Sequence, residues 1–594
     1  MTMAQPLSIN RTAPVLQVNG APLAASALAA LMELRITRGL RLPGRATLRF
    51  DDAGHALAAG GTFAIGATVS VAAGSGQVLL SGEVTGVDLS IEYGQPEFTV
   101  VVDDLSYKLT LGAKIRTFAA ITYGEVIGQI CREQGLSFEN RGGTDALTVQ
   151  QDYLMQSDTD FGFLTEIADR TGNDWWVEES TLVLAAPTDA QPVASLGFGD
   201  DPTLTAFTVR ASALHPAEPV VHGWWPQTKQ AVTAQGRAAS TSSVPTLVEP
   251  FIQASDLSSR AKTVTASEVP LDQSDAEVLA NRLAGRWSSG AVTARGTTVQ
   301  VEPSVVPGST VAVTGSGPAS GHYHVTEIEH VYNRRGFSTR FTAGDRRPSS
   351  LVDALSTQAS SSFRRQGIVI GVVTKVGNPN GSPGEVKVAY KSAGDQVESN
   401  WARVVTVGAG NGRGATFIPE INDEVIVGFE GGDSRRPIVL GGVYNGQDVP
   451  VEFGVANSKV NKRRITSRAG HFLEFGDGDA TADQHISFTL AGAEHQIVLG
   501  KEKFEATVPS GKPMTIKSGN SSIAIGADGS ITIQGKKITL KADTDVEISG
   551  VNVTTKASVK AETSATQVAI KASATGEVSS GGMMSVKGAM VAVN

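Results

Sequence analysis

Residues 521–553 read SSIAIGADGSITIQGKKITLKADTDVEISGVNV, and their apolar positions fall in pairs: Ile523/Ile525, Ile531/Ile533, Ile538/Leu540, Val546/Ile548 and Val551/Val553. Each pair has i, i+2 spacing, which puts both side chains on one face of a short strand. The gaps are filled by turn-forming and solvated residues, as at Gly526-Ala527-Asp528-Gly529 and Gly535-Lys536-Lys537. One such strand buries two side chains, too little to offset ordering costs of roughly 1–2 kcal/mol per residue. The stripes must therefore face one another, within one chain as a β-solenoid or between chains as an intertwined needle. Val559, Val568/Ile570, Val578, Val586 and Val591/Val593 extend the register less strictly, and aromatics nearly vanish. A thin, stiff β rod is predicted over residues 511–594.

Away from the rod, composition bounds the possibilities. The chain has 594 residues, 65 glycines and a formal net charge of −9, which suits several turn-rich, mostly β domains. No dense Lys/Arg run appears, so phosphate neutralisation on nucleic acid is not expected. The single cysteine, Cys131, excludes an intrachain disulfide framework and fits a reducing cytosol. No secretory leader pattern is visible in Met1-Thr2-Met3-Ala4-Gln5-Pro6, and no apolar run reaches the ~18 residues that span a bilayer.

Residues 1–115 alternate as strands, for example Ala46-Thr47-Leu48-Arg49-Phe50, with turn signals at Asn19-Gly20 and Asp52-Ala53-Gly54. A helical and strand insert follows over 116–199. Thr122 and Glu125 have capping-box spacing, Ser157 is read as the start of a second helix that stops at Gly172, and Trp175-Trp176-Val177 returns to strand. Residues 200–348 are again strand-rich, with one helix started by Ser274 and carrying Leu279, Leu283 and Trp287 inward. A Ser/Ala-rich linker is read at 349–365. Residues 366–450 hold about five short strands, enough for a small closed barrel.

Three motifs carry a family resemblance. The run Trp401-Ala402-Arg403-Val404, Ile418-Pro419, Asp423 to Val427, Phe429 to Asp433, Arg436-Pro437 and Gly442 to Asn445 resembles an OB-fold. That barrel belongs to spike proteins of contractile injection machines: the valine-glycine repeat (VgrG) family and related phage baseplate hub-and-needle proteins. Upstream, Tyr153, Ser157-Asp158-Thr159-Asp160-Phe161 and Leu164 resemble the hub motif of that family. Downstream, Ile465-Thr466-Ser467, Gly470-His471, Phe475 and Ile486 resemble the neck above its needle. Met155-Gln156 replaces a frequent Arg-Glu, and the first barrel hairpin lacks the usual Phe-Pro-Trp. These departures favour a phage-tail-like or extracellular particle over a type VI secretion system.

The resemblance implies a mainly β fold: tandem barrel-like hub domains (1–115 and 200–348) with a helical insert, an OB barrel (366–450), a neck (451–510) and a trimeric, triple-stranded β-helix needle (511–594). It implies a homotrimer that caps an inner tube, meets baseplate proteins and pierces a target envelope on sheath contraction. Assembly would be cytoplasmic, at the baseplate end of the particle, with effector cargo as an optional passenger. The trimer core would comprise Ile523, Ile525, Ile531, Ile533, Ile538, Leu540, Val546, Ile548, Val551 and Val553. Val591, Val593 and Asn594 would bind a conical tip protein of the PAAR type, which would supply any metal. No catalytic residue, cofactor, nucleic-acid partner or stable membrane insertion is expected of this chain.

His322 and His324 share a strand face but lack a third clustered ligand. Asp477-Gly478-Asp479 lacks the Glu that closes an EF-hand, and Gly408 to Gly414 lacks a Walker lysine. Asp103-Asp104 and Glu178-Glu179 are adjacent in strands and so point to opposite faces. Trp175-Trp176 and Trp224-Trp225 read as hub packing, and Gly315-Ser316-Gly317 has the wrong spacing for a hydrolase elbow. Cys131 reads as a buried helical residue. A type VI spike, a spike carrying an enzyme, and a trimeric fibre or adhesin are the rival functions.

Overall fold

The computed structural model describes residues 13–142, 145–187, 191–199, 202–211, 219–226, 228–237, 264–265, 270–344, 367–394 and 396–593. The expected linker at 349–365, Asn594 and the side chain of Trp287 lie outside the described residues. The chain forms two units, residues 1–450 and 451–594.

In the first unit, strict alternation builds one large sheet. Leu34, Ile36, Ala46, Leu48, Phe50, Val100 and Val102 are fully buried on one face. Arg35, Thr37, Arg45, Thr47, Arg49, Glu97 and Thr99, from the same strands, point to the other. The sheet has 13 strands. Its main path runs Leu204–Ala211, Val292–Thr298, Gly336–Ala343, Gly321–Asn333, Leu31–Gly39, Leu42–Asp51, Gln95–Asp103 and Val78–Glu92, then continues through Thr68–Ala72 and Val15–Val18. The two strand-rich regions therefore share one continuous sheet, joined where Gly321–Asn333 pairs antiparallel with Leu31–Gly39. Tight hairpin turns place a glycine at positive φ, Gly20 (φ 77) after Asn19 (φ 51) and Gly94 (φ 80) after Tyr93 (φ 50).

The insert packs its own core around the helices Tyr123–Glu133 and Asp160–Thr171, with Trp175 at its centre. The first helix carries the expected capping box, with Thr122 and Glu125 bonded reciprocally. The second ends at Gly172 (φ 74), as read, but its N-cap is Thr159 rather than Ser157, because the Thr159 hydroxyl accepts the Gly162 N–H. The third helix, Gln273–Ser288, is capped by Asp272 rather than started by Ser274. A carboxylate at the N-cap meets the helix N-terminus better than a hydroxyl two residues further in. Cys131 is buried, and burial pushes its thiol up to about 12.

A buried ion cluster ties insert to sheet. Arg41, from the turn between Leu31–Gly39 and Leu42–Asp51, pairs with Asp169 and Asp174 and donates to the Asn173 carbonyl (2.8 Å). Arg286 reaches the other Asp169 oxygen at 3.0 Å. Burial alone would raise the Asp169 carboxyl, but Arg41, Arg286 and Arg282 outweigh it and hold it at about 2.

The barrel closes as expected. Its sheet runs Val386–Ala389, Val369–Val376, Glu424–Phe429, Pro437–Gly442 and Arg403–Val404, and a bridge from Ala402 to Val386 joins the ends. Its core of Val373, Val386, Val388, Val425, Val427 and Val439 also takes in Tyr153 and Met155 from the insert strand Gln150–Gln156.

In the second unit a short hairpin, Val455–Ala456 with Lys459–Val460, precedes an antiparallel five-stranded meander: Lys462–Thr466, Phe472–Asp477, Gln484–Thr489, Gln496–Gly500 and Phe504–Thr507. A three-stranded meander follows, Met514–Ser518, Ser521–Ile525 and Ile531–Gln534, in which Ile523 pairs with Ile533 and Ile525 with Ile531. The first two Ile pairs of the stripe thus meet within one chain. Residues 535–593 contain no assigned strand.

Because the Asp169 pKa is depressed in the folded chain, its pairs stabilise the fold above the ordinary carboxylate pKa of about 4. That contribution is lost as pH falls toward about 2. Asp169→Asn should lower the urea midpoint at pH 7, with the difference from wild type shrinking between about pH 4 and pH 2. A difference that stays constant over that window would show that the cluster adds no stability.

Candidate assembly surfaces

The hub sheet has one apolar and one polar face. On the polar face, charges are paired side by side: Arg35 with Glu329 and Glu33, Arg49 with Glu97 (2.8 Å), Arg45 with Asp103 (2.7 Å) and Arg340 with Glu329 (2.8 Å). These partly exposed pairs contribute little stability each, and they keep that face wetted and charge-balanced. On the apolar face, cover is incomplete at one edge. Val87, Leu89 and Ile91 are exposed although their cross-strand partners Val100, Phe98 and Pro96 are buried.

The hub motif organises the insert. Asp160 is nearly inaccessible and accepts from Lys114 (2.7 Å), Arg116 (3.2 Å), Gln134 (2.8 Å) and Gln156 (2.8 Å). The barrel is seated on the hub through a second polar cluster beside Tyr153 and Met155. Arg435 binds Asp433 (2.7 Å) and lies 3.9 Å from Asp275, which is held by Arg170 at 3.0 Å. Arg436 donates to the carbonyls of Pro270 and Trp224, both at 3.0 Å. Sequence reasoning missed this joint. Its only local signal is the Asp433-Ser434-Arg435-Arg436 run, and nothing in a linear reading pairs that run with Asp275.

In the second unit the usual polarity is inverted. On the five-stranded meander, Ile465, Phe475, Ile486, Phe488, Ile497, Leu499 and Phe504 are all exposed. The opposite face buries Glu474, Ser487 and Thr489, with Glu474 paired to Arg464 and within 3.3 Å of His485. The proposed needle residues continue this exposed apolar surface. Ile523, Ile525, Ile531, Ile533, Ile538, Leu540, Val546, Ile548, Val551 and Val553 are 39–101% exposed, and Val591 and Val593 are exposed too. Apolar surface on this scale marks an interaction face.

The chemical candidates are dispersed. His322 and His324 lie on Gly321–Asn333, and among the described residues no group of three or more His, Cys, Asp or Glu is placed to hold a metal. Asp477 and Asp479 form surface ion pairs with Arg463 and Lys459. Asp103 binds Arg45, whereas Asp104 accepts from the Gly44 and Ser106 N–H groups. Trp175 and Trp176 are buried, and Trp224 is exposed. Among the described residues no helix is long and apolar enough to cross a membrane.

Comparison with known proteins agrees with this architecture. Residues 369–444 match the type VI secretion system/phage-baseplate injector OB domain, and residues 23–333 match the Alg8 N-terminal domain. The type VI secretion system spike protein VgrG1a of Pseudomonas aeruginosa is 37% identical over 99 residues, covering 16% of this chain and 15% of that protein. VgrG4b of the same organism is 35% identical over 92 residues, or 15% and 11% of the two chains. The chain thus spans a small part of the curated relatives it matches. A chain of the lidded PdpA–VgrG complex of Francisella shares the fold at a TM-score of 0.51 and 8% identity, over 84% of this chain and 80% of that one. With more than half of its length matched, this mainly β chain belongs to the Alg8 N-terminal domain family, and in joining that region to an injector OB domain it resembles the VgrG and phage-baseplate spike proteins.

Proposed function

We propose that this chain is the central spike, hub plus puncturing needle, of a contractile phage-tail-like injection particle. The observation that carries the reading is the uncovered apolar face running through residues 465–593. Three copies packed about a common axis would bury these faces against one another and leave the polar residues between the stripes in water. The neck would gather Phe475, Phe488 and Phe504, and beyond Gly535 the single extended chains would pair with one another as a triangular β-helix. Such a rod has no free lateral edge and resists bending. The OB barrel, seated on the hub by Arg435 and Arg436, would pass axial thrust from the tube to the needle. The hub would face the inner tube and baseplate proteins, with effectors as optional passengers. Assembly in the cytoplasm precedes propulsion toward a target envelope in this reading, and the chain itself makes or breaks no bond. Release of peptidoglycan fragments with turnover by the purified chain would overturn that last point.

A second reading, a type VI secretion spike, is favoured by the 37% identity to VgrG1a over 99 residues. Sheath, tube and lysis genes beside this one would support the first reading, and membrane-complex genes the second.

Ile533 should lie near the threefold axis, so Ile533→Asp would bury three carboxylates at several kcal/mol each. Light scattering should find a trimer for wild type and loss or fraying of it for Ile533→Asp. Thr532→Asp, on the opposite strand face, should be mild. Equal effects would mean that the strand register is wrong.

Val591 and Val593 are proposed to seat a small PAAR-type tip protein, their exposed stripe supplying its apolar contact. Replacing both by Asp should leave the trimer intact and abolish co-purification of the tip partner. Retention of that partner by the double variant would refute this site.

A further inference from the structure

A cavity of about 700 Å³ opens at one margin of the hub sheet, beside the hairpin strands Val15–Val18 and Ala21–Pro22. That is within the roughly 300–1,000 Å³ of ligand sites. Its floor is the edge of the hub core: Val18 and Ala27 are buried, and Leu23 and Leu57 are half-buried against the same cluster. Its walls are two short helices, Ala25–Ala29 and Ala56–Gly60. At the wall positions Ala24, Ala27, Ala53 and Ala56, alanine leaves space that a closed core would fill.

The walls are held in place from the end of the strand Leu42–Asp51. The buried Asp52 carboxylate accepts the Leu57 and Ala58 N–H groups, both at 3.0 Å, and the Asp51 N–H donates to the Ala30 carbonyl at 2.9 Å. Burial would raise the Asp52 carboxyl, but the N–H groups of Leu57, Ala58 and Ala56 outweigh it and hold it below the ordinary carboxylate range. The cavity is therefore preformed and carries a fixed negative charge beside its floor.

Its remaining polarity is also of one kind. Asp51 and Asp52 line it, and no Lys, Arg or His does. Asp51 is exposed, and among the described residues its carboxylate has no cation and no hydrogen-bond donor. Its cross-strand neighbour is another acid, Glu97, whose charge is taken by Arg49 at 2.8 Å. Pro22 supplies a further acceptor. The Leu23 N–H bonds inward to the Leu16 carbonyl at 2.9 Å, and Ala21 is paired with Val18. In an antiparallel ladder the Pro22 carbonyl then faces away from Val15–Val18, and proline has no N–H to offer beside it.

We propose that this cavity binds an extended peptide segment of a partner protein, which lays apolar side chains on the core margin and sets a lysine or arginine against Asp51. An apolar floor with acceptors at its side matches a main chain that brings N–H groups and one basic side chain. A small cation would leave the floor in water, and an acidic segment would add a charge with no partner. Apolar burial supplies the affinity, and the acidic lining selects the sign of the partner. The proposal is independent of the spike reading, which rests on residues 465–593.

The full chain can be tested by fluorescence anisotropy, with fluorescein-labelled Ala-Leu-Lys-Leu-Ala-amide as the probe. The same peptide with Glu in place of Lys should bind at least about fivefold more weakly, and Asp51→Asn should weaken binding of the Lys peptide about two- to fivefold, as expected for a partly exposed ion pair. Ala56→Trp, a substitution at an exposed wall position, should abolish binding by filling the cavity. No saturation below about 1 mM, equal binding of the two peptides, or retention of binding by Ala56→Trp would overturn the proposal. So would a chain lacking residues 1–12 that binds at least about tenfold more tightly, since the occupant would then be the chain's own N-terminal segment. Light scattering should give wild-type assembly for both variants, so a failure here leaves the spike reading standing.

Discussion

A strand has two hydrogen-bonding edges, and an edge left open is a site that some other strand will take. Most of this molecule can be understood as the consequence. The barrel settles its edges within its own chain, through the bridge from Ala402 to Val386. The hub does not. Its sheet joins 321–333 to 31–39, and among the described residues no strand pairs with the outer side of 85–92 or of 204–211. The far end goes furthest, since residues 535–593 have no strand partners within the chain at all. Edge closure is thus complete in the barrel, partial in the hub sheet and absent along residues 535–593.

Side-chain chemistry follows the same progression. Where the chain closes on itself, apolar residues are buried and charges are either at the surface or in compact clusters. Arg41 with Asp169 and Asp174, and Arg170 and Arg435 with Asp275 and Asp433, combine guanidiniums with carboxylates in numbers that leave no buried charge alone. An unpaired buried charge would be severely destabilising, so such clusters hold segments in one arrangement even where their net energy is modest. They occur where helices and turns from distant parts of the chain meet, at insert against sheet and barrel against hub. In the second unit the order reverses: Phe488 and Leu499 are exposed while Ser487 and Thr489 are buried.

This reversal bears on mechanics. A rod made of one chain would need all its core within that chain, and two apolar side chains per strand cannot supply it. In the proposed assembly, sharing the core among copies would give each short strand a buried face without widening the rod. Cohesion would then come from apolar stripes and backbone pairing along its whole length.

Features that depend on neighbours in sequence were legible from the start. The Ile523/Ile525 and Ile531/Ile533 pairs declare their common face because strand periodicity is local. Thr122 and Glu125 declare a capping box because both partners lie within one turn. The caps of the other two helices were misplaced by two residues, at Thr159 and Asp272, because several side chains nearby could serve and only the backbone direction selects one. The barrel and hub motifs were recognisable by resemblance, and the barrel's closure followed from strand count. What the sequence alone left open was the choice of partners across distance. That 321–333 meets 31–39, that Tyr153 and Met155 enter the barrel core, and that Arg435 approaches Asp275 depend on long-range pairing. No local pattern specifies such pairing, because every strand edge and every buried charge has many chemically acceptable partners. Tertiary structure decided among them by packing and register.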